Sequence, residues 1–147
     1  MKRIAVIFTL SLALYLSGCG ADIPKGFIEK NENFERDTIQ DSVDFCVYKY
    51  DSADGFKNNK EYIQVSESDI ENIKGFFENF RGWIELDEQR NNKYSFDDSI
   101  ISAGDFFRLV TKEGEKIAGG AYGKYDNYTL YFFDLESQTL YYIHANI

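Results

Sequence analysis

The stretch Tyr128–Asn146, YTLYFFDLESQTLYYIHAN, decides the fold. Two runs rich in aromatic and aliphatic residues flank the polar turn Glu136-Ser137-Gln138, and runs parted so briefly read as an antiparallel hairpin. In that pairing one face carries Leu130, Phe132, Tyr141, Ile143 and Ala145, and the other carries Tyr131, Phe133, Leu135, Leu140, Tyr142 and His144. Both faces are apolar, whereas a sheet wetted on one side alternates apolar with polar. The hairpin therefore requires a cover on each side.

Working outward, Asp105–Thr111 and Lys116–Tyr122 read as two more strands, divided by turns at Glu113-Gly114 and Asp126-Asn127. Four strands in close succession predict an antiparallel meander. Gly119, Gly120 and Gly123 weaken their strand and predict a bend where the sheet curls. Ser66–Glu85 is the one convincing helix: apolar residues at 70, 73, 77, 80 and 84 step by three and four, with Phe76 and Trp83 widening the stripe. Ser66 has the position of an N-cap, Asp69 that of its capping-box partner, and Val65 with Ile70 the spacing of a hydrophobic staple. Gly82 offers the helix an early end. Ahead of it, Phe45–Tyr50 and Glu61–Val65 flank the turn formers Asp51-Ser52-Ala53-Asp54-Gly55 and Asn58-Asn59, which predicts an N-terminal hairpin. The expectation is an α+β domain: one amphipathic helix packed on a curved antiparallel sheet made of the hairpin and the meander. The layout resembles that of cystatin-like domains and several small inhibitor folds, without any of their motifs.

At 147 residues, 44% hydrophobic and 28% charged, the chain is long enough for one compact domain and an appendage. The appendage is N-terminal. Lys2 and Arg3 precede an uncharged apolar run, Ile4–Leu16, which is shorter than the roughly 20 residues needed to cross a bilayer and has the form of a secretory signal peptide. Leu16-Ser17-Gly18-Cys19 follows at once and resembles the lipobox of bacterial lipoproteins, a resemblance confined to the first 19 residues. It implies cleavage before Cys19, diacylation of Cys19, and a lipid anchor on the extracytoplasmic side of a bacterial membrane. Gly20 stands where Asp would commonly signal inner-membrane retention.

The expected organisation is thus a signal peptide over residues 1–18, a lipidated Cys and polar tether over 19–42, and the domain over 43–147. Residues 20–42 hold the single Pro and no periodic apolar pattern, and a flexible tether of that length spans roughly 25 Å. Phe27, Ile28 and Phe34 are its residues suited to packing on the domain. Cleavage removes Lys2 and Arg3 from 16 basic residues, leaving 14 against 25 acidic ones and a net charge of -11. A domain so acidic is repelled by phosphate backbones, which disfavours nucleic acid as a partner. With Cys19 lipidated, Cys46 is left as a single thiol in an alternating strand, expected to be buried.

The chemistry-bearing patterns are sparse. Asp54-Gly55 and Glu61 match positions 5, 6 and 12 of a calcium loop, but Tyr50 and Ser52 fall at positions 1 and 3 and the flanks read as strands. A hairpin turn accounts better for Asp51, Asp54 and Glu61. Acid pairs occur at Asp87-Glu88 and Asp97-Asp98, as acids do in any chain with 25 of them. His144 is the sole histidine, and no nucleophile elbow or phosphate-binding loop is present. No cofactor and no metal are expected.

What stands out is the aromatic load of the final hairpin. One helix covers one face, so Tyr131, Phe133, Tyr142 and His144 on the other are the candidate partner-binding residues. The sequence reads as an envelope lipoprotein acting as a binding module, an accessory subunit or an inhibitor of a secreted enzyme, with an envelope or secreted protein as partner. The alternatives are a small wall-directed hydrolase drawing its acids from Asp97, Asp98 and Asp105, and a solute-binding lipoprotein.

Overall fold

A computed structural model describes residues 22–34, 42–111 and 127–146. The chain is α+β, built on an open antiparallel sheet. In chain order its elements are β1 (Phe27–Phe34), β2 (Ser42–Tyr50), α1 (Asp54–Lys57), β3 (Ile63–Gln64), α2 (Glu67–Ile84), α3 (Glu88–Asn91), a 3-10 turn (Asp98–Ile100), β4 (Phe106–Thr111), β5 (Asn127–Asp134) and β6 (Thr139–Asn146). The described strands lie in the order β1-β2-β6-β5-β4-β3.

β5 and β6 form the expected hairpin, with Leu130 opposite Ile143 and Tyr131 opposite Tyr142. Elsewhere the pairing departs from expectation. Phe45–Tyr50 does not pair with Glu61–Val65: β2 lies between β1 and β6, and β3 pairs with β4 near the opposite edge. The reason is that β2 is apolar on both sides, Phe45 facing one core and Cys46 and Tyr48 the other, and a strand buried on both faces belongs inside a sheet. β4 pairs directly with β5, where the meander would have set a strand from 116–122 between them; that strand and its glycines fall outside the described residues.

The segment read as tether contains β1, which pairs with β2 along the sheet edge. Register shifts between Phe27 and Glu29 and between Glu32 and Phe34 explain why its apolar residues show no period of two. Bulges and the charged side chains of Glu29 and Lys30 also blunt an edge against unwanted pairing.

α2 starts where the sequence places it. Ser66 caps it, and its backbone N–H donates to Asp69 Oδ2 at 2.9 Å. Val65 is buried in the same cluster against which Ile70 packs. Gly82 does not end the helix, which continues to Ile84 because that side chain is fully buried in the core. Ile73, Phe76, Phe77, Phe80 and Ile84 pack onto Phe45, Leu130, Phe132 and Ile143 of the sheet. Ring contacts lock the layer: Phe77 stacks on Phe96 with centroids 3.7 Å apart, and the Tyr128 hydroxyl donates to the Phe76 carbonyl at 3.0 Å. Among the described residues no helix is long and apolar enough to cross a membrane.

Candidate functional site

The far face of the sheet carries the aromatic residues singled out from sequence, and it is filled from within the chain. Tyr131, Phe133 and Tyr142 are 4%, 0% and 5% exposed. As candidate partner-binding residues they are corrected to core. The residues between β2 and β3, read as a turn, instead form α1, whose Phe56 is driven into this face. Phe56 stacks on Phe133 with centroids 3.8 Å apart and meets Tyr50 and Tyr62 edge-on at 4.9 and 5.1 Å. Ile23 packs beside them, the Tyr50 hydroxyl donates to the Pro24 carbonyl at 2.7 Å, and Pro24 Cβ lies 3.7 Å from where a Cβ on Gly55 would be. Residues 22–26 are therefore docked on the domain.

Arg108 anchors that docking. Its side chain is 8% exposed, and its Nη2 donates to Asp22 Oδ2 at 3.2 Å and Glu61 Oε2 at 2.9 Å. Its guanidinium carbon sits 5.1 Å from the centre of the Tyr131 ring. Burial pushes the Tyr131 hydroxyl pKa up to about 12, against the lowering effect of Arg108. Arg108 was not singled out from sequence, although a cation among Phe106, Phe107, Leu109 and Val110 is a signal in itself: buried charges are paired.

Cys46 is fully buried, as expected, but it is disulfide-bonded and not a free thiol. The other cysteine, Cys19, lies outside the described residues.

His144 occupies one end of the far face. It is half-buried, lies directly opposite Asp44 on β2 and Thr129 on β5, and its Nδ1 is 2.9 Å from Thr129 Oγ1. With Val110, Thr111, Asn127, Tyr128 and Asn146 it lines a cleft of about 320 Å³.

The candidate acids are bound into local structure. Asp87 accepts the Arg90 N–H at 3.1 Å and caps α3. Asp97 accepts the Ser99 N–H at 2.9 Å, and hydrogen bonds from Ser99 hold its pKa below the ordinary carboxyl value. Asp105 accepts from the backbone N–H of Ser102 at 2.8 Å and of Leu135 at 3.0 Å, tying two loops together. Burial raises its pKa, and those hydrogen bonds lower it only in part. Asp51, Asp54 and Glu61 do not form a calcium loop: Asp54 starts α1 and Glu61 pairs with Arg108. No group of three or more His, Cys, Asp or Glu among the described residues is arranged to hold a metal ion.

A second cleft, of about 480 Å³, opens on the α2 face beyond the end of the helical cover. Asn31 of β1, Lys49 of β2, Thr139 and Tyr141 of β6, and Ser95 of the loop after α3 contribute to its lining. Sequence reasoning gave it no role, because its residues come from three strands and a loop that only the fold brings together.

No family model matches this chain, and no curated protein or solved structure matches it.

Proposed function

We propose that the chain is an envelope lipoprotein, anchored through Cys19, whose acidic domain works by binding. An α+β sheet domain with an amphipathic helix on a curved face is the scaffold in this reading. The observation that carries it is the contrast between the acids and the clefts. Asp87, Asp97 and Asp105 are engaged in caps and loop ties, while the open concave surface is lined by amides, hydroxyls and an ammonium. Such a lining suits recognition, and small-ligand sites are concave with a few placed polar groups.

The docked segment changes how such a domain sits on its membrane. Asp22 is three residues beyond Cys19, a span of at most about 11 Å at 3.3 to 3.6 Å per residue. With Asp22 held by Arg108, the domain lies against the lipid surface with its Phe56 side inward, in place of a tether of roughly 25 Å.

A second reading draws on Cys46, which is disulfide-bonded. In it Cys19 is retained as a plain thiol and pairs with Cys46, and the protein is exported without lipid. The two readings exclude each other, since a thioether and a disulfide both use the Cys19 sulfur. Detergent-phase partition and the intact mass of the alkylated protein decide between them. The lipid-anchored reading requires Cys46 to be a thiol in the cell and not the disulfide of this structure, so it stands only if an acylated, detergent-partitioning form with one alkylated thiol is found, with Cys19→Ser uncleaved or soluble. A soluble form with no alkylated thiol until reduction establishes the second reading. Crosslinking in intact cells, followed by mass spectrometry, tests the binding claim: a stoichiometric envelope partner supports it, and turnover of a wall polymer by the purified chain defeats it.

A further inference from the structure

The cleft of about 480 Å³ on the α2 face exists because the cover over that face is shorter than the strands beneath it. On β2 the residues facing this side run Val43, Phe45, Val47, Lys49, and on β6 they run Ala145, Ile143, Tyr141, Thr139. The first pairs are buried in the core that α2 covers. Val47 and Tyr141 are half-buried at its margin, and Lys49 is exposed. The cover ends at Phe96, whose ring meets Tyr141 edge-on with centroids 4.9 Å apart, and Ser95 next to it forms one wall. Asn31 lies opposite Val47, and Asn33 follows on the bulged edge of β1. The outcome is a trough with an aromatic floor and polar sides.

The chemistry of this trough is specific. Tyr141 is held on both flanks, by Phe96 and by Phe132 at 6.3 Å in a stacked arrangement, so its ring is a preorganised plate. The walls offer the amides of Asn31 and Asn33 and the hydroxyl of Ser95, while Thr139, buried with its hydroxyl donating to the Ser137 carbonyl at 3.1 Å, closes the end of the trough. Amides and hydroxyls both donate and accept, as a sugar hydroxyl does. In a chain of net charge -9, no Asp or Glu among the described residues contributes to the lining. Lys49 supplies an ammonium there, whereas Lys30, although part of the lining, holds its ammonium over the Tyr48 ring 5.8 Å away. Glu29 stands opposite Lys49 and accepts from Asn31 Nδ2 at 3.0 Å, which limits the appetite of the site for strongly anionic ligands.

We infer that this trough binds a saccharide of one or two rings, the apolar face of a ring lying on Tyr141 and its hydroxyls meeting Asn31, Asn33 and Ser95. The volume is within the roughly 300 to 1,000 Å³ range of small-ligand sites. The inference rests on the binding reading above and names its ligand class. Lys49 is placed to take a carboxylate substituent when the sugar carries one.

The experiment is calorimetric titration of the full-length protein in detergent with two probes, the N-acetylglucosamine dimer and muramyl dipeptide. Saturable binding of at least one is expected, weakened about tenfold or more by Asn31→Ala and by Lys49→Ala. Both positions lie outside the core, so their melting temperatures should match the parent. Thr129→Ala, in the other cleft, should leave the affinity unchanged. A larger loss with muramyl dipeptide than with the neutral dimer in Lys49→Ala assigns the carboxylate contact. Absence of saturable binding for both probes up to about 10 mM, or equal affinity in both trough variants, overturns the inference. A captured protein partner without sugar binding overturns this inference and leaves the binding reading standing, whereas hydrolysis of either probe defeats that reading itself.

Discussion

The two faces of the sheet are closed by different means. The α2 face is covered by one helix of 18 residues whose core-facing side chains recur every three or four positions. The far face is closed piecemeal, by Ile23 and Pro24 from the N-terminal segment, by Phe56 on a helix of four residues, and by Tyr62. Single side chains that plug a face carry no period. Both faces are buried over most of their length, and only one announces its cover in advance.

The comparison can be broken first at Phe56. If the patchwork is true core, Phe56→Ala should cost about 3 to 5 kcal/mol in chemical denaturation, as Phe80→Ala should on the α2 face, because both are fully buried rings. A loss below about 1 kcal/mol for Phe56→Ala alone would make the far face a loose lid and return Phe133 and Tyr142 to candidacy as a docking surface.

A smaller effect is expected at Arg108. Arg108→Ala removes packing on Tyr131 and two ion pairs, yet the Asp22 and Glu61 side chains are 61% and 44% exposed and stay hydrated without it. Stability should fall by about 1 to 2 kcal/mol, mostly from lost packing, with coupling to Asp22 under about 1 kcal/mol in a double-mutant cycle. The sharper readout is limited proteolysis: residues 22–26 should become cleavable in the variant, and protection equal to the parent would show that Arg108 does not hold the segment.

The smallest effect separates two acids. Carboxyl carbon NMR should find Asp105 titrating above the ordinary value of 3.8 and Asp97 below it. For Asp105, whose folded pKa is raised, the linked stability is full below 3.8 and is lost as pH rises through the raised value. For Asp97 the sign reverses: the contribution is present above 3.8 and is lost as pH falls through the lowered value. Coincident titration of the two would mean that burial of Asp105 between its loops is not maintained in solution.

Legibility followed the same division. The helix, its Ser66 cap, the hairpin of β5 with β6 and the apolar character of both its faces were readable because each is a local pattern repeated over several residues. β1 was not, since its bulges break the alternation, and α1 was not, since four residues are too few to show a helical period. The hairpin assigned to Phe45–Tyr50 and Glu61–Val65 failed for a related reason. Both are strands, but sequence proximity suggested a pairing that the two-sided burial of β2 overrode in favour of β1 and β6. Of the sites, His144, a candidate from its place on the aromatic face, lines a cleft that the sequence does not foretell, and neither the trough at Tyr141 nor the anchor at Arg108 has a local signature that repeats.

The sequence by itself determined the α+β class, the central hairpin and the long helix, because backbone hydrogen bonding turns periodic apolar patterns into strands and helices with few alternatives. It also supplies the reading of the first 19 residues, which is a matter of residue order and not of shape. Only the tertiary structure decided which strands neighbour which, what fills the far face, and which polar side chains share a cleft. Those outcomes depend on contacts such as Arg108 with Asp22, 86 positions apart, whose energies exist only once the whole sheet has brought the partners within reach.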